Sequence, residues 1–187
     1  MLQLCFTFVL KQICMAYKSL EQCLLDLEQN GQLIRIKEEV DPYLEMAAIH
    51  LRVHEAGGPA LLFEKVKGSK FRAASNIFGT LQRSEFIFRN TLQSVQQLIE
   101  LKDDPVKAIK SPVKNFKAGL AALKALPKKN PLQKPVLFEE IKITDIPQIQ
   151  HWPMDGGAFV TLPQVYTEDI DKPGIINANL GMYRIQL

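Results

Sequence analysis

The sequence predicts an α+β protein: an N-terminal mixed α/β domain followed by an all-β second domain that is incomplete. Three observations predict it. Amphipathic helices with capping signals alternate with short apolar strands from Leu20 to Leu126. The stretch Pro127-Lys128-Lys129-Asn130-Pro131-Leu132-Gln133-Lys134-Pro135 then has the composition of a linker. Beyond it every periodic run is strand-like, and the last of them stops at Leu187 in mid-strand, as in a severed protein.

The first helix is expected over Leu20 to Gln29. Ser19 and Gln22 form a capping-box pattern, Gly31 ends the helix, and Leu20, Cys23, Leu24 and Leu27 make its apolar face. A strand follows from Gln32 to Ile36. Asp41-Pro42 restarts helix, with Asp41 as N-cap and Leu44, Ala47, Ala48 and Leu51 as the expected buried stripe. Gly57-Gly58-Pro59 stops it. Ala60 to Phe63 is an apolar run of buried-strand type, turned by Lys67-Gly68, and Phe71 to Ile77 reads as the next strand. Helix resumes between Ser84 and Leu101, and a lysine-rich helix is expected over Val113 to Leu126. In the second domain, Val136 to Ile143 and Ala158 to Tyr166 read as strands around a turn at Trp152 to Gly157. Pro173-Gly174 is a tight turn, and a further strand starts at Ile175.

Composition bounds the rest. The chain has 187 residues, 47% hydrophobic and 23% charged, which is a globular balance. A net charge of +3 is too mild to imply nucleic acid, although residues 102–134 hold nine Lys against two Asp. Only Phe116 interrupts those lysines, so base stacking has no support, and a solvated face is the plain reading. Docking on an anionic membrane is the alternative. Cys5, Cys14 and Cys23 form no CxxC pair, which fits a reducing compartment. Met15-Ala16-Tyr17-Lys18 reads as a natural start, so residues 1–14 are expected to be an extension outside the fold. No P-loop, GxGxxG or GxSxG is present, which removes the common nucleotide and hydrolase signatures.

Two constellations could carry chemistry. His50 and His54 are four apart on one helix, a spacing that suits two metal ligands. No HExxH accompanies them, so a pair of surface histidines is the plain reading. Asn179-Leu180-Gly181-Met182-Tyr183-Arg184 offers a hard amide oxygen, a glycine that admits close approach, and a guanidinium fork. That set suits a phosphate, a divalent cation or a carboxylate. Asn179 and Arg184 are five apart, so a regular strand points them to opposite faces. A bulge at Gly181 would break that alternation.

From Tyr17 to its end the chain resembles the N-terminal part of UbiD-family decarboxylases. The matching pieces, in the family's order, are Asn30-Gly31-Gln32-Leu33-Ile34-Arg35-Ile36, Glu39-Val40-Asp41-Pro42, and Gly58-Pro59-Ala60-Leu61-Leu62-Phe63-Glu64. Asn76-Ile77-Phe78-Gly79-Thr80, Trp152-Pro153-Met154-Asp155-Gly156-Gly157 and Asn179 to Arg184 complete the set. His151 stands before Trp152, where relatives often carry Cys.

The resemblance implies an N-terminal α/β domain at 15–130. From 131 to 187 it implies the first strands of a split β-barrel flavin-binding domain, truncated. It implies a non-oxidative, reversible carboxy-lyase acting on aromatic or α,β-unsaturated carboxylic acids with prenylated FMN, a divalent metal (usually Mn2+) and often K+. Asn179 is then a metal ligand beside the flavin phosphate. Met182, Tyr183 and Arg184 lie along the cofactor, and Arg184 also belongs to the catalytic site. Further metal ligands and a proton donor fall beyond Leu187 in the family, so the 187 residues alone are expected to be inactive. The 4-hydroxy-3-polyprenylbenzoate decarboxylase of ubiquinone synthesis is the first expectation, with a menaquinone-pathway or other aromatic-acid enzyme left open. The parent is expected in the cytoplasm or peripherally on the membrane face, as a homo-oligomer and without nucleic acid. A non-catalytic flavin- or anion-binding module is the alternative from a different class.

Overall fold

The structure, a computed structural model, describes residues 17–103 and 139–187. The expected extension at 1–14, the lysine-rich helix, the linker and the domain boundary near Pro131 lie outside these residues. The described residues fall into two contact units, 17–27 with 81–103, and 28–80 with 139–187.

The first unit is helical. Helix α1 spans Leu20–Gln29 and buries Cys23, Leu24 and Leu27, with Leu27 fully enclosed. Its start follows the local code. Ser19 Oγ accepts the Gln22 amide at 3.2 Å, and Gln22 reaches back to the Lys18 amide at 2.8 Å. Gly31, at φ +68°, accepts the left-handed backbone that ends the helical turn. The single helix expected from Ser84 to Leu101 is instead two. Helix α3 is Leu81–Ile87 and α4 is Leu92–Asp103. The break falls at Phe88 to Thr91, where the Phe88 carbonyl accepts the Thr91 amide, the Thr91 hydroxyl and the Leu92 amide. Thr and Asn favour such caps over helix interiors. Arg89 links this break to α1. It donates to Asp26 at 2.7 Å and to the Tyr17 hydroxyl at 2.9 Å, while its guanidinium lies 4.1 Å from the Phe86 ring centre.

The second unit starts with a three-stranded sheet. Strand β1 is Leu33–Val40, helix α2 is Glu45–Glu55, β2 is Ala60–Val66 and β3 is Ala73–Ser75. Strand β2 is central, parallel to β1 and antiparallel to β3. A strand covered on both faces needs apolar residues throughout, and Ala60, Leu61, Leu62 and Phe63, which alternate between the faces, are all buried. Val40, Met46, Leu61, Phe63 and Val66 form the core, with Ile49, Val53 and Ile149 against it. Strand β3 is shorter than the expected Phe71–Ile77 run.

Helix α2 corrects two expectations. It begins at Glu45, not after Asp41, and it buries Met46 with Ile49 and Val53 rather than Leu44, Ala47, Ala48 and Leu51. Asp41 caps a turn instead, accepting the Tyr43 amide at 2.9 Å. Backbone bonds from Leu44 N–H to Gln150 O and from Gln150 N–H to Pro42 O hold residues 42–44 beside a distant segment. The helical phase starts only after that bridge, so the stripe is displaced.

Residues 139–142 are irregular and Ile143–Asp145 is a 3-10 turn, where a strand was expected to reach Ile143. Strands β4 (Phe159–Val160), β5 (Gln164–Glu168), β6 (Ala178–Met182) and β7 (Ile185–Gln186) follow. They form two antiparallel pairs, β4 with β7 and β5 with β6. The expected strand Ala158–Tyr166 is therefore interrupted at Thr161-Leu162-Pro163, and the one from Ile175 opens as a 3-10 turn, Ile175–Asn177. The pairs do not close into a barrel among the described residues.

Candidate functional site

The two ribbons are one antiparallel ladder with a kink. Leu187 N–H bonds to Ala158 O at one end, and Tyr183 N–H bonds to Pro163 O in the middle at 3.2 Å. Pro163 has no amide hydrogen and cannot return that bond, so the ladder lapses at its level. The opposing strand breaks at Tyr183-Arg184, between β6 and β7. The bulge expected at Gly181 is not there. Gly181 pairs in register with Val165, and Met182 with Gln164. Gly181 serves a different purpose, the close approach of a side chain. A Cβ there would meet the Tyr183 ring at 2.8 Å from Cε2 and 3.1 Å from Cζ. The ring lies across Gly181, and the Tyr183 hydroxyl accepts from Asn179 Nδ2 at 3.2 Å. This leaves the harder atom of the amide, Oδ1, uncommitted among the described residues.

Arg184 takes the other direction. Its Nη2 donates to Asp155 Oδ2 at 2.8 Å, and its guanidinium carbon stands 3.7 Å from the centre of the Phe159 ring. Asp155 is held independently of the arginine. Its carboxylate accepts the Trp152 amide at 3.2 Å, and its side chain is only 13% exposed. The turn that carries it is tied at both sides. Gln150 Nε2 donates to the carbonyls of Trp152 and Asp155, and Gln186 Nε2 donates to that of Gly156 at 2.9 Å. The Trp152-to-Gly157 turn thus positions the arginine, a role that its sequence spacing alone does not show.

The structure therefore brings Asn179 to Tyr183, and Arg184 to Asp155 and Phe159. It gives Asn179 and Arg184 different partners. Met182 is 64% exposed and stands outside the core cluster. The donor chemistry fits a cation and an anionic cofactor in part. Asn179 offers one hard oxygen, Arg184 a positive fork, and Tyr183 a flat aromatic face. Among the described residues, no cluster of three His, Cys, Asp or Glu could hold a metal ion.

A second feature escaped the sequence reading. A pocket of about 400 Å³ lies in the same unit, and His50, His54 and His151 all line it. His50 sits below the usual imidazole pKa because of burial, and then because His54 and His151 are near. Burial, with the Arg184 charge, depresses His151 in the same way, against a smaller opposing pull from Asp155. The His151 Nδ1 is buried without a hydrogen-bond partner. Only the fold could join residue 151 to the helical pair.

These elements define an α/β domain followed by an unclosed ribbon that presents an amide and an arginine. Comparison with known proteins matches that arrangement. Residues 24–102 match the N-terminal domain of 3-octaprenyl-4-hydroxybenzoate carboxy-lyase, and residues 124–187 match its Rift-related domain. The chain belongs to the UbiD family and covers its N-terminal portion. It is 40% identical over 161 residues to a 4-hydroxybenzoate decarboxylase component from Chlamydia pneumoniae, an alignment covering 83% of this chain and 26% of that protein. The closed form of the Sedimentibacter hydroxybenzoicus vanillic acid decarboxylase is similar in structure. The TM-score is 0.67 at 28% identity, over 93% of this chain and 36% of that one. A dimeric form of the UbiD-class enzyme HmfF from Pelotomaculum thermopropionicum, in complex with prFMN, shares the fold. There the TM-score is 0.63 at 22% identity, over 91% of this chain and 36% of that one. The chain spans less than a third of the length of the first curated relatives it matches. Among the described residues no helix is long and apolar enough to cross a membrane.

Proposed function

We propose that the protein carrying this chain is a non-oxidative, reversible decarboxylase of aromatic or α,β-unsaturated carboxylic acids that uses prenylated FMN and a divalent metal. The observation that carries the reading is the fixed arginine at the ribbon's kink. A guanidinium held by Asp155 and backed by Phe159 keeps free donors for a second carboxylate, and bidentate pairing orients a planar acid. Family membership supports the same reading, as does the name of the chlamydial relative, which belongs to a 4-hydroxybenzoate decarboxylase. A 4-hydroxy-3-polyprenylbenzoate is the first substrate to test, and an assembly of several chains is the expected form.

Asn179 Oδ1 would give one oxygen to the divalent metal, and Met182, Tyr183 and Arg184 would hold the cofactor. When bound, the flavin supplies the electron sink for loss of CO2. Arg184 holds the substrate carboxylate. Mn2+ wants about six oxygen donors and Asn179 gives one, so Asn179 alone does not complete the metal site.

The test separates the two residues in a protein of the relatives' length. Asn179→Ala lowers cofactor retention, and excess Mn2+ restores part of it. Arg184→Ala retains more flavin but loses turnover by about 10²-fold or more, the scale for removing a charge partner of the transition state. Wild-type activity in both variants would remove the assignment.

A further inference from the structure

All three histidines of the chain, at 50, 54 and 151, line one pocket of about 400 Å³ between α2, the segment after β3 and the 149–162 stretch. We propose that this pocket binds a small uncharged phenol, whose ring lies on the apolar wall and whose hydroxyl donates to Nε2 of His54. Small-molecule sites of about 300–1,000 Å³ combine such walls with a few placed polar groups. Neither Asn179 nor Arg184 lines the pocket, so it is separate from the ribbon's site.

The wall is apolar. Met46, Ile77, Phe78, Ile149 and Leu162 supply it. Met46 belongs to the core cluster and closes the inner end, whereas Phe78 and Leu162, 53% and 59% exposed, stand at the mouth. A ring seated between them takes exposed apolar surface out of water. Among the described residues no Asp, Glu, Lys or Arg lines the pocket, so a charged ligand finds no counter-ion there.

The hydrogen bonds around Asn76 decide what the ligand must offer. Asn76 is buried, and its Nδ2 donates to Gly58 O at 3.2 Å and to Pro59 O at 2.8 Å. Both amide hydrogens are used, and reversing the amide would set its oxygen against two carbonyls. Its Oδ1 therefore faces His54 Nδ1, at 3.3 Å. Two acceptors do not bond, so the proton of neutral His54 sits on Nδ1 and the lone pair on Nε2. A partner for Nε2 must donate. A phenol hydroxyl, which keeps its proton up to about pH 10, can do so, and a carboxylate cannot. The Ser75 hydroxyl engages His50 Nδ1 and holds that ring parallel to His54 within 4°. Burial keeps His50 below the usual imidazole pKa, so it favours the uncharged form too. Loss of CO2 from a hydroxybenzoic acid leaves a phenol, the product class of the proposed reaction. Binding is read without flavin, metal or turnover, so it stands or falls apart from that reaction.

The experiment titrates the purified, chelator-stripped protein with phenol by calorimetry, at about pH 8, above the usual imidazole range. Amide resonances are followed by NMR. One phenol is expected to bind with a Kd of about 1 mM or tighter and to shift the amides of Ser75, Gly79 and Thr161. Methoxybenzene keeps the ring but cannot donate, so it binds about tenfold or more weakly, with Nε2 left unpaired. Benzoate, charged and without a donor, binds no better than methoxybenzene. His54→Phe keeps the apolar bulk and removes the acceptor. Phenol binding then falls about tenfold, and its preference over methoxybenzene disappears. Arg184→Ala leaves phenol binding unchanged, which separates this pocket from the proposed substrate arginine. If His54→Phe fails to fold by circular dichroism, the comparison of phenol with methoxybenzene in the unaltered protein still decides. Equal affinity for those two ligands overturns the proposal. So does a phenol Kd weaker than about 10 mM, or a set of shifted amides that misses the pocket.

Discussion

Arg184 donates to Asp155 at 2.8 Å across twenty-nine residues of sequence, and the carboxylate that receives it is already held by the Trp152 amide. The pair is asymmetric: the side chain of Asp155 is 13% exposed and that of Arg184 45%. The buried partner fixes the direction of the exposed one. A long, flexible cation is thereby delivered to a single place beside the kinked ribbon.

Asp155→Asn tests that relationship. The amide keeps the shape and can still accept from the Trp152 N–H, but it loses the charge that orients Arg184. Because the arginine is half in solvent, the stability change is expected to stay below about 1 kcal/mol. Turnover measured in a protein of the relatives' length should fall about tenfold or more, with KM for the acid rising. A melt and a steady-state assay settle it, and unchanged kinetics would show that Asp155 does not position the arginine.

Gly181→Ala tests the close approach of Tyr183. The new methyl would sit 2.8 Å from the ring, and the ring is the end of a side chain that can swing away. Stability is expected to change by less than about 1 kcal/mol, since Tyr183 is half-exposed. The Asn179–Tyr183 bond is lost, and flavin retention falls with it. Retention equal to wild type would show that this bond does not prepare Asn179.

Phe63→Ala tests the core of the second unit. Phe63 is fully buried on the central strand β2, and its truncation is expected to cost about 3–5 kcal/mol. Phe78→Ala, at a ring 53% exposed, is expected to cost much less. Urea denaturation of the two variants gives the comparison. Similar midpoints would mean that β2 is not the centre of the folded unit.

Acid should weaken the first unit through Asp26. Burial pushes its carboxyl up, but hydrogen bonds from Tyr17 and Arg89 and the arginine's charge outweigh that and leave it below the ordinary value. A depressed folded-state pKa stabilises the fold above the unfolded value of about 3.9 and loses that contribution as pH falls through the folded value. Asp26→Asn should therefore be less stable than wild type at pH 7, and the gap should shrink below about pH 4. Melts across pH 2 to 7 read the difference, and a gap constant with pH would exclude the linkage.

Much of the fold is written locally. Helix α1 runs over the residues its capping pair and Gly31 imply, because a cap and a left-handed glycine act within a single turn. The buried run at Ala60 to Phe63 announces a central strand, since only a strand covered on both faces needs apolar residues at every position. The Asn179-to-Arg184 segment stands out by residue type, and family resemblance gives it a meaning that spacing does not.

The rest depends on partners that lie far away in sequence. The phase of α2 is set by backbone bonds between residues 42–44 and Gln150, so a pattern read outward from Asp41 starts at the wrong residue. The break before Arg184 follows from Pro163 on the facing strand, and the arginine's direction follows from Asp155. The grouping of His151 with His50 and His54 follows from how the 149–162 stretch meets α2. Local sequence determined where helices begin and which strand is buried, because caps, glycines and apolar runs act at short range. Tertiary structure alone decided which faces and charges meet, because a hydrogen bond or ion pair depends on distance in space and not on separation along the chain.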